Sequence, residues 1–153
     1  MLEDIIQDRD FAQLMKKNII DMIVLFFEKE QNFGILCQVD EVEFNPELPQ
    51  EISESFRPIT LFFLAGYTFE TARIEDDCLI FEAGFGRDNI GSVVRVPLLS
   101  ILQIIVDETP IFINVSTYKE MQEEKIPMET NEDGVQNSMN SFLSNPENAK
   151  FLK

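Results

Sequence analysis

The sequence predicts an α+β domain: one N-terminal helix, then a small, mostly antiparallel sheet or half-open barrel, then a disordered C-terminal tail. Three observations lead there. A long 3.6-residue apolar period occupies residues 9 to 29. Short runs rich in Val, Ile, Phe and Thr recur at close spacing from Phe33 onward. After Ser116 the composition turns to Glu, Asn, Ser, Gln and Met with little periodicity.

The helix rests on Phe11, Leu14, Met15, Asn18, Ile19, Met22, Ile23 and Phe26, which follow i, i+3, i+4, i+7 spacing. Ile20, Val24 and Phe27 widen the apolar face beyond one stripe. Such a helix needs either a deep seat in its own core or a second covering surface, which a second copy of the chain could supply. Residues 33 to 39 read as a strand. Asp40 to Arg57 is acidic, carries Pro46 and Pro49, and reads as a loop or irregular edge.

From Pro58 the strand signal returns. Ile59 to Ala65 and Thr68 to Ile74 are candidate strands, the second closed by an Asp76-Asp77 turn. Cys78 to Phe85 follows, then a turn over Gly86 to Gly91, and Ser92 to Val96 stops at Pro97. Leu98 to Leu102 reads as a helical turn. Gln103 to Val106 and Ile111 to Val115 read as a hairpin around Asp107-Glu108-Thr109-Pro110. The expected organisation is a folded domain over 1 to 116, an acidic flexible linker over 117 to 147, and a short terminal peptide over 148 to 153. That peptide, Ala149-Lys150-Phe151-Leu152-Lys153, is basic and apolar behind an acidic leader, the pattern of an anchor on a tether.

A formal charge of −16 weighs against nucleic acid and against anionic membrane surfaces, since both need clustered Lys and Arg. Histidine is absent, which removes the commonest proton shuttle near neutral pH. Cys37 and Cys78 lie far apart in apolar runs and read as reduced core thiols. No nucleotide loop, dinucleotide fingerprint or catalytic carboxylate pair is evident, so no enzyme and no cofactor are expected. Glu129 to Asn140 partly resembles a calcium loop but has Asn140 where a bidentate acid belongs. Asn114-Val115-Ser116 matches a glycosylation sequon and reads as chance, because no secretory signal is visible. Ile19 to Phe27 is too short and interrupted to span a bilayer, and the expected compartment is cytoplasmic.

Phe81-Glu82-Ala83-Gly84-Phe85-Gly86, followed ten residues on by Val96-Pro97-Leu98, resembles the signature of the SspB family (stringent starvation protein B). The family pattern is roughly F-N-A-R-F-G, a polar turn, then V-P-L. The similarity runs back through Leu61, with Leu64-Ala65 on the family's I-A pair, and forward to Phe112. An N-terminal helix and an acidic tail with a basic-apolar tip agree in kind. Gly84 departs from the family's basic residue, Arg87-Asp88-Asn89 lengthens the turn, and Asp40 to Arg57 is long.

The resemblance implies a half-open, Sm-like barrel and an adaptor that performs no chemistry. It implies an extended degradation tag of the ssrA type held near Leu64, Ala65, Phe81, Ala83, Phe85 and Gly86. It implies a homodimer through the helix, here Ile19, Ile20, Ile23, Val24 and Phe27. It implies docking of Lys150, Phe151, Leu152 and Lys153 on the N-terminal zinc-binding domain of the ClpX unfoldase, delivering tagged polypeptide substrates to ClpXP. Phe81, Ala83 and Phe85 share one face of their strand by alternation, and core packing is the competing role for the two phenylalanines. A small acidic secretion-type chaperone is the first rival, and it has no use for a basic-apolar tip. An Sm-like nucleic-acid binder is opposed by the charge, and a hydrolase or metal enzyme by the lack of His.

Overall fold

The computed structural model describes residues 1–119. A short helix α1 (Leu2–Ile6) precedes α2 (Arg9–Lys29). Asp8 caps α2, its carboxylate accepting the Phe11 N–H at 2.8 Å. Glu30 ends it in the left-handed conformation. One stripe of α2 is buried: Ala12, Lys16, Ile19, Ile23 and Phe26. Ile20, Met22 and Phe27 are half-buried beside it, whereas Leu14, Val24 and Leu25 are exposed. Lys17 and Asp21 form an ion pair at 2.7 Å across the outward side.

Eight strands follow: β1 (Phe33–Gln38), β2 (Glu43–Asn45), β3 (Ile59–Leu64), β4 (Arg73–Glu75), β5 (Cys78–Phe85), β6 (Ile90–Pro97), β7 (Ile101–Val106) and β8 (Thr109–Ile113). They form two four-stranded antiparallel sheets, in the orders β3-β1-β7-β8 and β2-β6-β5-β4. The fold class is therefore α+β as expected, with the strands divided between two sheets. The loop Asp40 to Arg57 contains the edge strand β2 and a short helix α3 (Gln50–Ser53).

The expected strand over Thr68 to Ile74 is corrected. Its first half is a helix, α4 (Gly66–Thr71), and only Arg73–Glu75 is extended. Tyr67, Thr68, Phe69 and Thr71 favour strands intrinsically, but tertiary packing overrides that preference. Phe69 turns inward to meet Phe27 at 5.8 Å and Phe33 at 6.3 Å between ring centroids. The β7–β8 turn is also tighter than expected. Asp107 and Glu108 both have positive φ, which closes a two-residue hairpin, so Thr109 and Pro110 already belong to β8. Asp76 and Asp77 do the same between β4 and β5.

The core lies between the sheets, with α2 packed against both. Ile19 and Ile23 join Phe33, Ile35, Leu64, Leu79, Phe81, Val94, Val96, Ile101 and Ile104. Lys16 runs through this boundary and reaches Asp77 at 3.1 Å, tying the helix to the β4–β5 turn. Cys37 is fully buried, and burial, with Glu41 adding to it, pushes its thiol from the ordinary 9.0 up to about 12. Burial also pushes the Cys78 thiol up. Both are free, unreactive core thiols.

Asn114 gives the sequon a structural role. The residue is buried, its amide donates to the Ile101 carbonyl at 3.0 Å and the Leu99 carbonyl at 3.4 Å, and its oxygen accepts from the Ser116 N–H at 3.0 Å. Removing the amide strands buried carbonyls. Asn114→Ala should lower stability by about 1–3 kcal/mol, read as a lower urea midpoint at unchanged slope. A variant as stable as the parent would show that water replaces the amide.

Candidate functional site

β5 and β6 pair through Ala83↔Ser92, Gly84↔Gly91 and Phe85↔Ile90 before the turn that joins them. At this end lies an open cleft of about 390 Å³. Asn45, Pro46, Ser92 and Val93 line one side, and Tyr67, Glu82, Ala83, Gly84, Asn89 and Gly91 complete it. The paired glycines leave the floor without side chains. At Gly91 an added Cβ would meet open space, whereas at Gly84 it would overlap the Asn89 amide. Asn89 thus fills the position where the SspB-like pattern carries a basic side chain.

Each wall has a local cause. Where β4 stops, Thr71 Oγ1 accepts the Glu82 N–H at 2.9 Å and continues the role of the missing strand. This anchors α4 on β5 and brings the Tyr67 hydroxyl to donate to Glu82 Oε1 at 2.6 Å. Across the cleft, the Ser92 hydroxyl donates to the Pro46 carbonyl at 3.0 Å, fastening the β2 end to β6. Among the described residues, the side-chain amides of Asn45 and Asn89 take no hydrogen-bond partner. Each retains two donors and an acceptor facing the cleft region. The arrangement suits a polar ligand that offers alternating N–H and C=O groups.

The motif aromatics lie elsewhere. Phe81 and Phe85 point inward, where Phe62 meets them at 5.9 and 6.2 Å. Phe44 and Phe56 complete this cluster, with Phe44 at 5.6 Å from Phe85. Phe81 and Leu64 are fully buried, so neither can face a ligand. Ala65 is exposed at the start of α4. Gly86 has φ +76 and packs on Ile52 of α3, which makes it a turn residue. Of the six expected peptide-binding residues, Ala83 alone lines the cleft. Asn45, Tyr67, Glu82 and Asn89 carry no such signal in the sequence, being brought together from two strands, a helix and a turn.

The expected dimer residues also divide. Ile19 and Ile23 are 0% exposed within the protomer's own core, because the helix spends its main apolar stripe on both sheets. Neither is available to a partner. Val24 is exposed, and Ile20 and Phe27 are half-buried. Lys150, Phe151, Leu152 and Lys153, the linker beyond residue 119 and the calcium-like stretch lie outside the described residues. Among the described residues no three His, Cys, Asp or Glu side chains form a metal-holding group. No helix among them is long and apolar enough to cross a membrane.

The Tyr67–Glu82 hydrogen bond, with the carboxylate charge beside it, raises the phenol above its ordinary value. A raised value means that the bond's contribution is intact below the ordinary phenol range and is lost as pH climbs through the folded-state value. In a Tyr118→Phe background, ultraviolet titration should follow Tyr67 alone, ionising later than a free tyrosine. Glu82→Gln should bring the midpoint back down. An unchanged midpoint would mean that this bond does not persist in solution.

Comparison with family models, with curated proteins and with solved structures finds no match to this chain.

Proposed function

We propose that the protein is a proteolysis adaptor: it binds an extended degradation tag of the ssrA type and delivers the tagged polypeptide to ClpXP through its C-terminal tip. The observation that carries the reading is the cleft beside the strand bearing Phe81 to Phe85, with two facing glycines on its floor and, on its walls, amides that take no partner among the described residues. An extended peptide needs close approach to a backbone and partners for its own N–H and C=O groups. Gly84 and Gly91 offer the first, and Asn45 and Asn89 the second. The resemblance to the SspB signature on the same strand supplies the tag and the unfoldase.

The recognition differs from one in which Phe81 and Phe85 touch the tag. With Phe81 and Phe85 committed to the core, affinity in this cleft comes from hydrogen bonds and shape, with Val93 providing a small apolar contact. Binding is then modest for each site. A docking peptide at the C-terminus would compensate by holding the substrate near the unfoldase at high effective concentration. Pairing of two protomers through Ile20, Val24 and Phe27 would double the number of tethers.

Gly91→Gln, whose side chain would enter open space on the cleft floor, should fill the cleft and weaken binding of a fluorescent tag peptide at least about tenfold while the circular dichroism spectrum is preserved. Unchanged anisotropy titrations would move the site. Deleting residues 148 to 153 should leave that titration unaltered and abolish stimulation of ClpXP degradation of a tagged substrate. Continued stimulation at low adaptor concentration would remove the tip from the mechanism.

A further inference from the structure

The outward side of the β3-β1-β7-β8 sheet is unusual for a chain of charge −16. Side chains alternate along each strand, and the register puts Leu61 beside Leu36, Gln103 and Ile113 in one row. The next row is Phe63, Gly34, Ile105 and Pro110, and Ile59 sits beside Gln38 at the end. Not one of these positions carries a charge. Leu61 and Phe63 close over Gly34, whose added Cβ would lie 3.1 Å from Leu61 Cδ1 and 3.6 Å from Phe63 Cδ1. Phe63 is 63% exposed, Ile113 57%, Leu61 49% and Ile59 48%. No described helix covers this side: the core, with α2, is on the other face.

Among the described residues the face ends on an edge that no further strand covers. β3 is terminal in its sheet, and its six residues, Ile-Thr-Leu-Phe-Phe-Leu, contain no charge, proline or glycine. Edge strands of soluble proteins are usually blunted by lysine, proline or a bulge, and β3 has none of these. The exposed apolar side chains amount to on the order of 500 Å², a full-sized patch for a monomer. A standard interface takes about 800 Å² from each partner, so this face alone falls short of a stable dimer. A single strand laid along β3 needs less area, and it gains main-chain hydrogen bonds from the edge.

We propose that this face, with the β3 edge, is a second polypeptide-binding surface that takes an extended, apolar, non-acidic segment of a client chain. The occupant's chemistry follows from the surface. The uncharged rows accept Val, Ile, Leu or Phe side chains at alternate positions, and the surrounding acidity turns away acidic segments. The site is separate from the cleft at β5 and β6 and does not depend on tag recognition there. A client would be held by its tag at one place and by unfolded chain at another, which strengthens both engagements.

The test uses the full-length chain with a fluorescent unfolded peptide that carries Val, Ile, Leu and Phe at alternate positions, Ser, Thr and Lys between them and no acidic residue as the probe, and a fluorescent tag peptide as the control for the cleft. The double variant Leu61→Gln/Phe63→Gln should lose at least about tenfold in affinity for the unfolded probe and keep its affinity for the tag peptide. Ile113→Gln, one row across the same face, should weaken the probe in the same direction, and it carries the test if the double variant does not fold. Gly91→Gln, which fills the cleft, should leave probe binding unchanged. The proposal is overturned if the parent chain does not bind the probe, or if these variants bind it as tightly as the parent. It is also overturned if light scattering shows the double variant converting a dimer to a monomer, since the face would then be a self-association surface.

Discussion

Everything in this domain depends on where α2 spends its apolar stripe. Two small sheets facing each other leave an open end, and Ile19, Ile23 and Phe26 fill it. Phe33 is the meeting point: its ring lies 5.3 Å from Phe26, 6.4 Å from Phe27 and 6.3 Å from Phe69. Helix, first sheet and α4 are locked by one aromatic cluster, and edge-to-face contacts of this kind add to the area they bury. Because α2 is committed inward, what it offers a partner is the narrower strip at Ile20, Val24, Leu25 and Phe27. That strip is interrupted by the Lys17–Asp21 pair.

A second aromatic cluster follows from the first. With one end of the sandwich closed by α2, Phe44, Phe56, Phe62, Phe81 and Phe85 bridge the two sheets elsewhere. This decides the character of the motif strand. Its phenylalanines must face the core, so its outward signal is carried by Glu82 and Gly84 and by the partner Gly91. A strand that reads as an apolar groove from its letters becomes the polar wall of a cleft, because alternation sends the large side chains to the other side.

The long regular periods were legible because they report burial directly. The helix at 9 to 29 and the strands at 33, 59, 78 and 92 have one face in the core, and their patterns say so. Thr68 to Phe69 was misread because its conformation depends on Phe27 and Phe33, which are distant in sequence. The site was less legible still. Asn45, Tyr67 and Asn89 stand on three separate segments whose adjacency is a product of strand order, and no local pattern announces it. Gly84 and Gly91 were visible as glycines, but their pairing across the hairpin appears only once the register is fixed.

The two binding surfaces argued for this domain differ in the physics that would drive them. In the cleft a ligand must replace water on Asn45, Asn89 and Glu82, so selectivity comes from matching hydrogen bonds, and a mismatched group strands a polar partner. On the outer sheet the gain comes from apolar area and an unfilled strand edge, which is tolerant of sequence. The acidic charge is distributed away from that sheet face but not away from the cleft, where Glu82 sits paired with Tyr67. Under the proposed reading, a selective site on one sheet and a more permissive one on the other would let a client be chosen by one segment and held by apolar chain of varied sequence. Placing them on different sheets lets one be altered without disturbing the core that Phe33 and Phe62 share between them.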